Sequence, residues 1–519
     1  MTLSGAGTMV VELSAVRLLA PWFGSSNGVW THAIGVILMA LALGYAAGGR
    51  LSSRGRPEAH AARVLFAASL WCAALPFLAG QVAPWFRPAD ASLHGAGGLL
   101  FWGSLVCAAL LFLVPALLLG CVAPLAVQGL SRAHGESAGQ AGGHILALST
   151  LGSLVGTFAT TYWCLPVLGL RWTFLLAGGL LALAATLLLV ASRSPWTALV
   201  LLPAAAGWLP GAQPAVGDGQ RLIAEVQSPY QWIRVLESGA GETLERRLVV
   251  NEALDSFQSL WRPEPGFIGL GSYYDYFVPP AFWDRGGDRW RVLILGLGAG
   301  TAVRVLEGTL PAGVALESTG VELDAEVVRL GREYFELQAN VGDRRVYSGQ
   351  DARAVLAALP RDFDQILVDA YANNVEIPPH LCTREFFAEV REHLRPGGWV
   401  TANVSGFGLG DPVVNAMAQT LATGMQGETL ALVLPFSRNV MLYARREAPL
   451  PRPDGPDFLV GPDELRARLE CVRLDGCWRV WQGGEVAPLT DDRSPMQRLQ
   501  DASIAYGVAG WMQAREAGQ

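Results

Sequence analysis

Along the first 216 residues the apolar positions run on for lengths that a half-buried soluble helix does not require. The stretches Thr2–Ala20, Val29–Gly49, Ala61–Trp85, Leu99–Gly129, Ile145–Leu168 and Trp172–Ala191 carry few charges. Each is close to the ~20 residues that cross a bilayer as a helix. A seventh apolar stretch, Pro195–Val216, has no charge between Arg193 and Asp218. Its Pro203, Pro210 and Pro214 make it a poor helix, because proline removes a backbone donor and clashes with the preceding turn. Gly44, Gly48, Gly49, Gly152 and Gly156 lie inside these stretches, where helices in lipid need small residues to approach one another.

From Gln220 the pattern changes. Short runs such as Arg234–Leu236 and Arg247–Val250, separated by turn residues, predict a small β-hairpin domain. From Arg291 apolar strands alternate with helical stretches, which predicts a doubly wound parallel sheet. The expected strands are Val292–Leu295, Ser318–Glu322, Arg345–Tyr347, Gln365–Asp369, Trp399–Asn403, Leu430–Leu434 and Asn439–Tyr443. The last two are separated by four residues and read as an antiparallel edge hairpin. The expected architecture is a multi-pass α-helical membrane domain (1–216), a small β domain (217–288) and a Rossmann-like α/β domain (289–519) with a methyltransferase-type, seven-stranded sheet.

Composition narrows the function. A chain of 519 residues is 51% apolar, with a mean hydropathy of +0.31, and the excess sits in the first part. The net charge of -7 offers no basic footprint for nucleic acid. All 38 basic residues are arginine, which excludes a phosphate-loop lysine and a Schiff-base lysine. The seven cysteines show no metal-ligand spacing, so no metal is expected. Cys72, Cys107, Cys121 and Cys164 sit in apolar stretches and read as packing residues, whereas Cys471 and Cys477 flank a turn-like stretch across which a disulfide would fit. Glu12 and Arg17 in the first stretch argue against a cleaved signal. Charges in a span read either as functional or as a structural lock. Arg50, Arg54, Arg56, Arg63 and Arg132 fall on one side of the expected spans, against Arg87 and Arg171 on the other, which places the first set in the cytoplasm. The side occupied by the second half then depends on whether Pro195–Val216 crosses.

Candidate chemistry gathers at the strand ends, where open α/β sheets bind ligands. Gly296, Gly298 and Gly300 follow the first strand and allow close backbone approach. Glu322 ends the second strand, where a carboxylate accepts ribose hydroxyls. Asp351 follows the third, placed for an adenine amino group, and Asp369 ends the fourth, pointing into the crevice. Each alone reads sooner as a solvated loop charge; together they point to an adenosyl ligand. NAD and S-adenosylmethionine compounds share that geometry. Leu394-Arg395-Pro396-Gly397-Gly398 before the fifth strand favours the methyltransferase-like type.

These residues resemble the spermidine synthase (polyamine aminopropyltransferase) family, and the whole chain looks like its membrane-fused bacterial branch. The resemblance rests on Ser228–Gln231, Asn251–Ser259, Gly296–Thr301, Val321–Asp324, Gln350–Arg353 and Val368–Phe387, with Glu12–Arg50 in the membrane part. It implies transfer of an aminopropyl group from decarboxylated S-adenosylmethionine, a co-substrate, to an amine acceptor such as a polyamine, with a lipid bilayer and a second copy of the chain as further partners. Gln231, Glu322 and Asp351 would hold the adenosyl ligand. Tyr273 would line the donor–acceptor junction and Asp369 would be the catalytic carboxylate, with Tyr274, Asp275, Tyr371 and Glu376 around the acceptor. Two positions depart from the family pattern: Ala299 and Ala372 stand where it carries ammonium-binding aspartates. The acceptor and the state of the donor are therefore left open, so S-adenosylmethionine itself remains an alternative donor. A methyltransferase on the same sheet is one rival reading. A polyamine or nucleoside transporter or sensor with a non-catalytic synthase-like part is another; Gly44–Arg56 resembles a loop of major-facilitator transporters but lacks its aspartate.

Overall fold

The structure is a computed structural model that describes residues 1–23, 27–86, 96–191, 216–217, 219–251, 257–284, 287–371, 376–474, 476–484 and 486–517. Two compact units divide the chain, one built mainly on residues 1–216 and the other mainly on the residues after them.

The first unit comprises α1 (Thr2–Phe23), α2 (Asn27–Ser52), α3 (Pro57–Val82), α4 (Ala96–His134), α5 (Ala138–Ala159) and α6 (Gly169–Ala191). Among the described residues six helices are long and apolar enough to cross a membrane, and they coincide with the six expected stretches. Between α5 and α6, Thr160–Leu168 is π-helical. Pro166 has no N–H to give there, and helices widen or kink at such positions. Val16, Leu19, Phe112 and Phe174 pack the interior, while Leu43, Leu151 and Leu187 face outward. Glycine sets the helix spacing. A side chain at Gly44 or Gly48 would run into the α4 backbone at Leu117 or Cys121, and one at Gly152 would meet Thr2 of α1. Gly49 faces open space instead, so its expected contact is not made. The Arg132 guanidinium, at the end of α4, donates to the carbonyls of Gly55 (3.0 Å) and Ser52 (3.3 Å). That contact brings Arg132 to the same end of the unit as the α2–α3 loop with Arg54 and Arg56. Arg87, Arg193 and Pro195–Ala215 lie outside the described residues, so the expected seventh stretch is not among the helices above.

The second unit opens with a four-stranded sheet in the order β1 (Gln220–Gln227), β2 (Trp232–Ser238), β3 (Glu245–Val250), β4 (Ser259–Trp261). A short helix, α7 (Pro279–Trp283), leads into the main sheet. The elements that follow are β5 (Arg289–Leu295), α8 (Thr301–Thr309), β6 (Ala315–Glu322), α9 (Ala325–Tyr334), β7 (Arg344–Ser348), α10 (Ala352–Leu356), β8 (Phe363–Val368), α11 (Arg384–His393) and β9 (Leu394–Ser405). After them come α12 (Pro412–Met425), β10 (Glu428–Val433), β11 (Asn439–Arg445), α13 (Asp463–Cys471), β12 (Trp478–Gln482) and α14 (Met496–Ala517).

The sheet order is β12-β10-β11-β9-β8-β5-β6-β7. β5, β6, β7, β8 and β9 are parallel, and β11, β10 and β12 continue the sheet antiparallel. Both faces are covered: Leu293 and Leu295 enter one core, Val292 and Ile294 the other. This is why the strands read as continuous apolar runs rather than alternating ones. The chain winds outward from β5 in both directions, so the carboxyl ends of β5 and β8 flank the crevice where ligands enter such sheets. The doubly wound sheet is as expected. An eighth strand, β12, pairs with β10, so the β10–β11 hairpin is not the edge. The stretch between Cys471 and Cys477 joins α13 to β12 instead of turning a hairpin, and both thiols are free.

Candidate active site

The turn after β5 is built by backbone geometry that only glycine adopts without strain. Gly296, Gly298 and Gly300 have φ of 92°, 58° and 97°, and a Cβ at Gly296 would overlap the Asp369 carbonyl. The amides of the turn are internally satisfied. Gly296 and Leu297 donate to the Val321 carbonyl (3.0 Å each), Gly298 to Glu322 Oε2 (2.9 Å), Ala299 to Ser259 Oγ (2.8 Å) and Gly300 to the Leu297 carbonyl (3.2 Å). A loop that cradles phosphate leaves such amides free for it. Here they are spent on the protein, which suits an uncharged ribose better than a pyrophosphate.

Glu322 closes β6 beside this turn. Besides Gly298, its carboxylate accepts the Asp324 amide at 3.0 Å, which leaves further lone pairs for hydroxyl donors. Burial raises its pKa, against the pull of the Asp324 and Gly298 amides. Asp351 caps α10, with Oδ1 accepting the amides of Arg353 (3.0 Å) and Ala354 (3.1 Å) while Oδ2 meets His380 Nε2 at 2.9 Å. Burial pushes its carboxyl up, but the Ala354 amide and His380 outweigh that and hold it below the ordinary range.

Asp369 follows β8, fixed by its own amide on the Leu295 carbonyl (2.9 Å). Burial raises its pKa to about 7; hydrogen bonds from Asn403 and Tyr273 oppose the rise and the charge of Glu322 adds to it. Asn403 Nδ2 donates to Asp369 Oδ1 at 2.9 Å, and Asn403 Oδ1 accepts from Asn439 Nδ2 at 2.7 Å. Ser437 Oγ then donates to Asn439 Oδ1 at 2.7 Å. The relay fixes which way each amide points. Tyr273 stacks on Tyr274 with ring centroids 4.2 Å apart, and Tyr274 donates its hydroxyl to the Gln258 carbonyl at 2.6 Å. Burial and then the Asp369 charge push the Tyr273 phenol well above its ordinary value, so it stays a hydroxyl that can donate. The arrangement is a carboxyl poised near neutrality, oriented by an amide and a phenol, beside a second carboxylate suited to a ribose. It can accept a proton from a nearby nucleophile.

Residues 287–443 match the model described as Spermine/spermidine synthase domain. Over these residues the chain is similar to the spermidine synthase family. It is 33% identical over 228 residues to "Probable polyamine aminopropyl transferase" of Bifidobacterium longum, a match covering 43% of this chain and 47% of that protein. It is 28% identical over 407 residues to "Polyamine aminopropyltransferase 2" of Streptomyces coelicolor, covering 75% of this chain and 70% of that one. The chain thus spans less than half the length of the first relative. A solved structure described as a probable spermidine synthase from Corynebacterium glutamicum is 21% identical with a TM-score of 0.39, covering 51% of this chain and 96% of that one.

Within the residues singled out by the family resemblance, the structure brings Glu322, Asp369, Tyr273 and the glycine turn together. Others fall elsewhere. Asp275 is fully buried and accepts from the amides of Ile268 (2.8 Å) and Gly269 (2.9 Å) and from Arg468 Nε (2.7 Å). It braces the fold and has no surface for an acceptor, which corrects the expectation that it binds substrate. The Tyr371 hydroxyl donates to the Asn403 carbonyl (2.9 Å) and accepts the Ser405 amide (2.8 Å), so its polar end serves the backbone. Gln231 closes the β1–β2 turn, its backbone amide on Ser228 Oγ at 3.0 Å. It groups with the first unit, and the cluster above is built without it. Glu376 is buried, and Ala372 lies outside the described residues. Asp491 is a tether: both oxygens take the Arg353 guanidinium at 2.8 Å, and Thr383 Oγ1 donates to it at 2.7 Å. Sequence reasoning missed Asn403 and His380 as site residues. Asn403 lies at the end of β9, so the strand-end rule that found Asp369 applies to it too.

Proposed function

We propose that the chain is a membrane-anchored aminopropyltransferase of the spermidine synthase type, with the second unit as the catalytic part and residues 217–288 as its small β domain. The donor is decarboxylated S-adenosylmethionine, and the acceptor is an amine. The acceptor nitrogen attacks the aminopropyl carbon bonded to the sulfonium. The N–C bond forms as the C–S bond breaks, the electron pair goes to sulfur, and methylthioadenosine leaves neutral. The nitrogen sheds one proton, and Asp369 takes it. No metal and no nucleophilic side chain is needed, because a sulfonium is already a good leaving group; the protein supplies alignment and a base. The observation that carries this reading is Asp369, whose pKa of about 7 lets it accept a proton at working pH and whose partners fix its direction. Tyr273 orients the amine, Glu322 holds the ribose and Asp351 the adenine edge.

Cofactor supply favours a cytoplasmic catalytic unit. Six crossings with the arginine-rich end inside give the same answer when Pro195–Val216 does not cross, and an outward-facing unit when it does. The test is to incubate the full chain, in detergent or nanodiscs, with donor and an amine panel and to identify the nucleoside released. Methylthioadenosine is expected. S-adenosylhomocysteine formed from S-adenosylmethionine would replace this reading with methyl transfer, which the same sheet supports.

A further inference from the structure

Arg438 follows the β10–β11 turn and precedes Asn439, the outer member of the relay to Asp369. Its guanidinium lies 5.5 Å from the centroid of the Phe407 ring and near Tyr371. Burial lowers its pKa to about 10, with the Tyr371 phenol pulling slightly the other way. Arg291, Arg353, Arg395 and Arg468 of the same unit all sit on carboxylates. Arg438 is different: among the described residues its guanidinium has neither an acidic partner nor a hydrogen bond. A desolvated cation without a counter-charge is costly, and the residue keeps part of its surface open. A forked guanidinium in that state is matched by a carboxylate from outside the protein.

The sheet order says which substrate would bring it. Glu322 and the glycine turn lie at β5 and β6, on the donor side. Asp369 ends β8. Arg438 leads into β11, beyond β9 and on the far side of Asp369. An acceptor amine that approaches Asp369 from the side away from the donor has its other end toward Arg438. We infer that Arg438 binds the carboxylate of the acceptor, so that the acceptor is an amino acid rather than a simple diamine. This rests on the transferase reading above.

The test compares γ-aminobutyrate with putrescine, which has a similar chain length, in the full-length protein. Wild type is expected to have the higher kcat/KM with γ-aminobutyrate. In Arg438→Gln the ratio of the two kcat/KM values should fall roughly 10- to 100-fold, the range of a charge-assisted pair, mostly through KM. Arg438→Lys, which keeps the charge but not the fork, should fall between. Equal loss for both acceptors in Arg438→Gln, or a wild-type preference for putrescine with either donor, overturns the inference. A preference for putrescine that reverses when S-adenosylmethionine replaces the decarboxylated donor also overturns it, since the carboxylate would then belong to the donor. Direct titration of γ-aminobutyrate separates the two readings. Binding that Arg438→Gln abolishes, with no methylthioadenosine formed, keeps this site and sinks the transferase reading; no binding and no turnover sinks this site.

Discussion

Asp369→Asn should make the protein more stable and far less active, and the two effects should diverge with pH. The carboxyl has a pKa of about 7 in the folded chain against an ordinary value of 3.8. Between those values the folded state holds a proton that the unfolded state has lost. Stability contributed by this group is thus complete below pH ~4, falls as pH rises and is gone above pH ~7. At ~1.4 kcal/mol for each pH unit, the whole loss is about 4 kcal/mol. Asparagine has nearly the same shape, can still accept from Asn403 Nδ2 and never ionises. The variant's stability advantage should therefore grow by about 2–3 kcal/mol between pH 5 and pH 8, or several degrees in the melting of the second unit. Over the same range its turnover should lie ~10²- to 10⁴-fold below wild type, as expected when a general base is removed. Differential scanning calorimetry at both pH values, paired with methylthioadenosine release, measures both effects. A pH-independent stability difference would show that Asp369 is ionised throughout, and the assignment as a base near neutrality would fall.

Three further substitutions probe neighbouring parts. Glu322→Gln should raise the donor KM about 10- to 100-fold through lost ribose contacts, and the acidic limb of the pH–rate profile should move down because a charge that raises the Asp369 pKa is gone. An unchanged limb would show that the two carboxylates do not sense each other. Tyr273→Phe removes a hydrogen bond that favours ionised Asp369, so the same limb should move up, with kcat falling about 10-fold. A downward shift in the profile would contradict the contact. Arg468→Ala leaves Asp275 buried and unpaired and should cost ~3–5 kcal/mol in denaturant melts while leaving both KM values alone. A raised acceptor KM would restore Asp275 to the site.

The six long apolar helices and the sheet were legible because each rests on a repeated physical demand: uninterrupted apolar length in one case, strands buried on both faces in the other. Glu322 and Asp369 were legible because polar residues at the carboxyl ends of parallel strands stand out against Val321 and Val368. Asp275 was not, because adjacency in sequence hides direction. It lies two residues from Tyr273, yet its carboxylate turns inward to Arg468, which is 193 residues away. β12 was missed because Trp478–Gln482 is only a short run between Asp475-Gly476 and Gly483-Gly484, and its pairing with β10 is decided by the tertiary fold. Tyr371 shows the same limit at atomic scale: its identity announces a hydroxyl, but only the backbone of β9 reveals that the hydroxyl is engaged.

What the sequence treats as separate residues behaves as one electrostatic arrangement. Asp369 is held near neutrality by burial and by Glu322 against the opposing bonds of Asn403 and Tyr273, so no single one of these residues sets its proton affinity. Ser437, Asn439 and Asn403 transmit orientation to it from the β10–β11 turn, and Arg438 lies between Ser437 and Asn439 in the chain. A substrate anion at Arg438 would therefore bring its charge to the turn that orients the base. Recognition of the acceptor's far end and readiness of the proton acceptor would be coupled through the same four residues, a link that neither the strand-end pattern nor the glycine turn discloses.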